Sequence, residues 1–282
     1  IIFDCRAIRV LKAIGTPKAN EALLNIALKK DSRFAASSYI ENSRNKSDAQ
    51  KLLISKNADI LISALSALHG IDVDKNLLEK LKPFTQSSDA QVRIQAAKVV
   101  STDATDKNAV EKFNILITAI ETAEKVKDGY KKFPNPKAVG TIADDVYLQL
   151  IRALSETKGI DDNLKQKMDT LQGKTKYCAI IARANRGDAS VKQGLYTIIK
   201  DPNAGMLKCS AVIAFDNIGT PNDIPFLQEV ALTDTFAVEL PEGCLSDNPL
   251  NPMKDAIEDN KFYPVRFWAQ RAIREGIREK SK

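Results

Sequence analysis

Apolar residues recur three and four positions apart along almost the whole chain, interrupted by Gly, Pro and Asp, which is the spacing of helices that bury one face. Read that way, the first third predicts helices near 3–14, 18–29, 32–43, 47–55, 58–69 and 75–84. The pattern continues near 89–101, 107–127, 141–157, 162–171, 175–186, 189–200, 205–218 and 221–233, with a last helix near 263–279. Connections in the first third are short, so consecutive helices are expected to fold back on one another as about seven hairpins. The two-residue alternation of a half-buried strand is hard to find.

The sequence also aligns with itself. Ile14-Gly15-Thr16-Pro17 and the residues up to Leu28 recur as Ile218-Gly219-Thr220-Pro221 and the residues up to Leu232. The match runs backward without a gap, pairing Cys5 with Cys209, Ile8 with Val212 and Val10 with Ala214, so it spans a whole hairpin. Gly187 and Gly219 lie 32 residues apart, close to the length of two short helices and two turns. Such recurrence marks a repeat protein, in which each unit buries its apolar face against the next.

Three segments carry a family likeness. In Ser88-Asp89-Ala90-Gln91-Val92-Arg93-Ile94-Gln95-Ala96-Ala97 the order Asp, Val-Arg, Ala-Ala resembles the first helix of a HEAT repeat, in particular the short bacterial class related to phycobilisome lyases. Pro264-Val265-Arg266-Phe267-Trp268-Ala269-Gln270-Arg271-Ala272-Ile273 repeats that order, and Asp31-Ser32-Arg33-Phe34-Ala35-Ala36 is a weaker copy. The resemblance implies an all-α fold, a right-handed α-solenoid of about seven HEAT-like hairpins whose second helices line a concave face. Those inner helices would be the ones near 18–29, 75–84, 107–127, 162–171, 189–200 and 221–233. The stretch around 32–55 is polar and irregular, and the helix near 107–127 is longer than the pattern.

Composition fits helices. Of 282 residues 44% are hydrophobic and 28% charged, while aromatics make up only 6%, so residues 1–282 read as a single array. No stretch approaches the roughly 18 uninterrupted apolar residues of a membrane span. The chain starts with Ile inside a helical pattern, which suggests a preceding segment and leaves the compartment open between cytoplasm and export of a soluble protein. A monomer is expected. Cys5, Cys178, Cys209 and Cys244 are isolated, without the spacing of a zinc module or disulfide framework. Three lie in Ala-rich helices, where Cys acts as a small buried apolar residue, and Cys244 is the plausible reactive thiol.

Charge singles out two insertions. A basic loop at 125–140 includes Lys131 and Lys132; within 125–137 it holds five Lys against one Asp. An acidic loop at 234–261 holds seven acids, among them Glu239, Glu242 and Asp247, against two Lys. Loops of that length inside compact folds are uncommon and often functional. The early inner helices are rich in lysine, including Lys80, whereas the last carries Asp223 and Glu229 with no basic residue. Such polarity suits a protein partner of complementary charge.

The search for chemistry returns little. The single histidine, His69, ends an apolar helix, where it would serve the last carbonyls, and one histidine is too few for the di-iron site of HEAT-repeat deoxyhypusine hydroxylases or a multi-histidine zinc site. Asp144-Asp145 and Asp161-Asp162 fall at helix starts, where carboxylates cap amides. Trp268 beside the Val-Arg order reads as a core or capping residue rather than the base-binding Trp of HEAT-like DNA glycosylases. No catalytic residue, metal or cofactor is assigned. The expected function is a non-catalytic protein-protein interaction scaffold that binds on its concave face and acidic insertion, with Lys80, Lys131, Lys132, Asp223, Glu239, Glu242 and Asp247 as contact residues. The alternatives are a nucleic-acid-binding protein, suggested by net charge +6, and a lyase-type HEAT-repeat enzyme.

Overall fold

A computed structural model of the chain describes residues 5–43, 45–103, 105–126, 146–239, 256–258 and 261–277. It is mostly helical, with little sheet. The chain forms two compact units, Ile1–Thr122 with Glu156–Asp161, and Ala123–Ser155 with Asp162–Lys282.

The first unit runs α1 (Cys5–Ile14), α2 (Pro17–Lys30), α3 (Arg33–Asn42), a 3-10 helix over Lys46–Ile54, α4 (Ala58–Ala67), α5 (Lys75–Thr85), α6 (Ala90–Ser101) and most of α7 (Ala109–Lys125). The polar residues between apolar runs start these helices by capping free amides. Ser32 Oγ accepts from the amide of Ala35 at 3.2 Å, Asp74 from Leu77 at 2.7 Å, and Asp89 from Gln91 and Val92 at 2.8 and 3.0 Å. The irregular second hairpin is explained by its residues: Ser and Asp compete for backbone hydrogen bonds, and the expected α-helix near 47–55 is a 3-10 helix capped by Asn45.

Packing follows the hairpin order. α1 contacts α3, α3 contacts α4 and α4 contacts α6, while α2 packs on α3, the 3-10 helix on α4 and α5 on α6. Small residues make the close seams: Ala35, Ala36, Ala64, Ala96 and Ala97 are fully buried, with Leu23, Ile60, Leu65 and Leu78 filling between them. Each such leucine or isoleucine contributes about 1.5–3 kcal/mol of burial. Both residues of the Val-Arg pair point inward: Val92 is buried, and the buried Arg93 guanidinium donates to the carbonyl of Ser87.

The second unit contains α8 (Val146–Glu156, whose last residue falls in the first unit), α9 (Asp162–Asp169), α10 (Gly173–Asn185), α11 (Lys192–Lys200), α12 (Leu207–Ile218), α13 (Ile224–Thr233) and α14 (Pro264–Arg271), which passes into a π-helical turn over Ala272–Ile277. α10 contacts α12 and α12 contacts α14, with α11 on α12 and α13 on α14.

The expected loop between 234 and 261 is structured at both ends. β1 (Val238–Glu239) and β2 (Ile257–Glu258) flank β3 (Lys261–Phe262) in an antiparallel sheet ordered β1-β3-β2. Phe262 pairs with Val238 on one side and Ile257 on the other. Ala256 and Phe262 form a small buried core over which Val238, Ile257 and Phe267 close. Strands of two residues carry no periodicity, so the pattern could not reveal them.

The two copies of the internal repeat fold alike and differ where their neighbours differ. Leu23 and Leu227 are both fully buried, as are Ile8 and Val212 nearly so. Cys209 is buried on α12, between α10 and α14, whereas Cys5 on α1 is exposed, against the expectation that it is buried. The shared glycine serves two purposes. Gly15 adopts φ +61°, the left-handed region that favours glycine, while at Gly219 a Cβ would come within 2.4 Å of the Phe215 carbonyl.

Candidate interaction surface

The second helices of the first unit carry the candidate surface. Two half-open grooves indent them. One, of about 700 Å³, lies between α2, the end of α3 and the 3-10 helix; the other, of about 610 Å³, lies between α5 and α7. Both are within the 300–1,000 Å³ range of ligand clefts.

Their polar linings differ in what they leave unused. In the α2 groove several groups are committed, Lys51 to Asp48 at 3.0 Å, Asn42 to the Lys12 carbonyl at 3.0 Å and the Tyr39 hydroxyl to the Asp48 carbonyl at 3.4 Å, while the Asn20 Oδ1 is buried without a hydrogen-bond partner and Glu21 is exposed. In the α5 groove the exposed side chains of Lys82, Gln86 and Asn108 and the half-buried Glu111 make no hydrogen bond or ion pair among the described residues. Val110 is 58% exposed at its edge and Ile115 is buried beneath.

The α7 wall of that groove is held from behind. Asp103 and Lys112 form an ion pair at 2.6 Å with both side chains fully buried. Lys112 also donates to the Thr105 carbonyl at 3.0 Å, and the Thr105 amide and hydroxyl donate to Asp103. Burial alone would push the Asp103 carboxyl up; the bonds from Lys112 and Thr105 outweigh it and hold it below the usual carboxylate range. Asn108 starts α7 with φ +58°, a conformation Asn tolerates, and its carbonyl accepts from the Lys112 amide at 2.9 Å.

In the second unit Asp223, expected on a negative surface, turns inward, whereas Glu229 on α13 is exposed. Asp223 is 2% exposed. Lys192 donates to it at 2.8 Å, the Thr220 amide at 2.6 Å, and the Tyr196 hydroxyl to its other oxygen. Burial and then the bond to Asp223 push the Tyr196 phenol up to about 12. The Asp223 carboxylate therefore locks α11 to the start of α13 rather than facing a partner. Asp234 is a second knot: it pairs with Lys208 at 2.8 Å, both side chains 7% exposed, and its carbonyl accepts from Arg266 at 2.7 Å. Arg266 reaches on to Glu258 and lies 4.1 Å from the Tyr263 ring centroid. The insertion thus begins on a buried ion pair and returns through a sheet. These partners lie about 30 residues apart in sequence, beyond the reach of any local pattern.

The remaining expected contact residues are dispersed. Lys80 is exposed on α5, with its ammonium 3.4 Å from the Gln50 carboxamide. Glu239 is exposed on β1 opposite Lys261. Lys131, Lys132, Glu242 and Asp247 lie outside the described residues, as do Asp144, Asp145 and Cys244. Sequence reasoning passed over Gln86, Asn108 and Val110, because uncharged amides and a lone valine carry no motif.

His69 follows α4, half-buried, and burial together with Lys98 and Lys46 outweighs its bond to Gln95 and lowers its pKa. Among the described residues no group of three His, Cys, Asp or Glu could hold a metal ion. Nor is any described helix long and apolar enough to cross a membrane. Trp268 is half-buried on α14, edge-on to Phe267 at 5.3 Å and beneath Arg271. Compared with protein-family models, with curated proteins and with solved structures, the chain matches none.

Proposed function

We propose that the chain is a solenoid of HEAT-like hairpins acting as a non-catalytic protein-interaction scaffold, with its second helices and acidic insertion as the contact surface. The order of packing supports the solenoid: within each unit first helices lie on first helices, α1 on α3 and α4 on α6 in one, α10 on α12 and α12 on α14 in the other. The scaffold reading rests on one observation above all, the α5/α7 groove, whose lining leaves hydrogen-bonding groups of both kinds and an exposed valine without intramolecular use.

Affinity capture from the source lysate tests this, with nuclease-treated and untreated arms. Wild type is compared with Lys80→Glu and with a chain in which 240–255 is replaced by a short Gly-Ser bridge, leaving the strand stem intact. The scaffold reading expects a discrete protein that survives nuclease and weakens in one of the variants. Material lost on nuclease treatment would transfer the surface to nucleic acid.

A further inference from the structure

We infer that the outward side of α1 is a docking face for one further helical hairpin, packed as α10 and α11 pack on α12. This goes beyond the scaffold reading and uses a different surface. The internal repeat supplies the occupant. Residues 5–14 and 209–218 are copies of one helix, yet α12 lies against α10 and α11, whereas α1 packs on α2 and α3 and no described helix takes the place of α10 and α11. Ala211, Ala214 and Ile218 are accordingly buried, while their counterparts Ala7, Val10 and Ile14 are exposed, Val10 by 57% and Ile14 by 54%.

Spacing of three and four residues puts these three on one side of α1, next to Leu11. The counterpart of Leu11 is Phe215, whose ring lies 5.6 Å from that of Tyr196 on α11. The bare side of α1 is therefore the side that the α10–α11 hairpin covers on α12. Ile8 and Val212, buried in both copies, mark the side that is covered alike. A single exposed valine is ordinary surface. Here a small residue and two branched ones adjoin on a face that the second copy shows to be a helix seam, and the copies keep all three positions apolar.

One polar anchor is not repeated. Asp223, which binds Lys192 and Tyr196 of α11, has Ala19 as its counterpart, and Ala19 is buried. The occupant therefore docks by apolar packing, through small residues such as the buried Cys178, Ala179 and Ala182 that α10 carries, and needs no such lysine and tyrosine. A second copy of α1 fits less well. Arg6 and Arg9 are exposed on a helix without an acidic residue, so two copies would bring like charges together.

The test supplies such a hairpin. Residues 172–204 are placed directly before Ile1, whose counterpart is Gly205, so that the added hairpin meets α1 in the register of α11 and α12. The control chain carries the same residues in scrambled order. Amide exchange in α1 is expected to be at least about tenfold slower than in the control, and Val10→Lys with Ile14→Lys should abolish the difference. In the unextended chain those two changes should leave circular dichroism and urea unfolding as in wild type, because both side chains are exposed there. Exchange as fast as in the control, or slowing that survives the two lysines, overturns the inference. So does sedimentation of the unextended chain as a dimer that the two lysines convert to monomer, which would give the face to a second copy. Lysate capture on the second-helix surface depends on neither result, so failure here leaves the scaffold reading standing.

Discussion

Replacing Lys112 by Met isolates the buried pair that supports the groove. At 2.6 Å, with an effective dielectric constant of about 20, the attraction between Lys112 and Asp103 is about 6 kcal/mol, most of it offset by the several kcal/mol that each buried ion loses in desolvation. The pair therefore contributes little net stability, but breaking it strands a carboxylate that is 2% exposed and leaves the Thr105 carbonyl without its donor. That costs about 3–5 kcal/mol. Asp103→Asn should be similarly harmful, since it strands the ammonium. In the double variant neither charge remains and the carboxamide introduced at position 103 still accepts from Thr105, so the loss should be smaller than the sum of the singles by at least about 2 kcal/mol. Urea unfolding followed by far-ultraviolet circular dichroism, with hydrogen exchange at α6 and α7 amides to assign the unit affected, reads both quantities. A Lys112→Met chain within about 1 kcal/mol of wild type, or singles that simply add, would refute this account of the pair.

Acid should act through the same group: a carboxyl whose folded pKa is depressed gives stability that is complete above its ordinary value and disappears as pH falls through the folded one. Asp103, Asp188 and Asp223 all share that direction, so stability should hold at neutral pH and decline below about pH 4, with Asp103→Asn flattening the decline. Tyr196 has the opposite sign; its pKa is raised, so its contribution should be lost as pH climbs from about 10 towards the value of about 12, checked by phenolate absorbance in wild type against Tyr196→Phe. Lys208→Met should free the start of the insertion, seen as faster amide exchange at Val238 and Phe262 with helices α10 and α11 unchanged. Gly159→Ala should destabilise the first unit by at least about 1 kcal/mol in urea, because Gly159 has φ +77° and a Cβ would lie 2.7 Å from that of Ala109.

The helices were legible because their cause is local. Apolar spacing placed α2, α5, α6 and α12 within a residue or two, and the Ser and Asp caps that start several helices stand in the sequence as punctuation. What lay hidden depends on distant partners. Asp223 carries the charge of a surface acid, but Lys192 and Tyr196, 31 and 27 residues earlier, draw it into the interior. The strand stem between 238 and 262 was invisible because its pairing is set by Phe262 packing on residues from both ends of the insertion. The α5 groove escaped notice for a similar reason: Gln86 and Asn108 become a surface only once α5 and α7 stand side by side.

The most direct test of the scaffold reading places a photo-crosslinking amino acid at Val110, and separately at exposed Gln91 on α6, and irradiates the full chain in source lysate. A discrete protein adduct that forms from position 110, resists nuclease and is missing from position 91 is the expected result. An adduct that nuclease removes, or one formed equally from both positions, would contradict it.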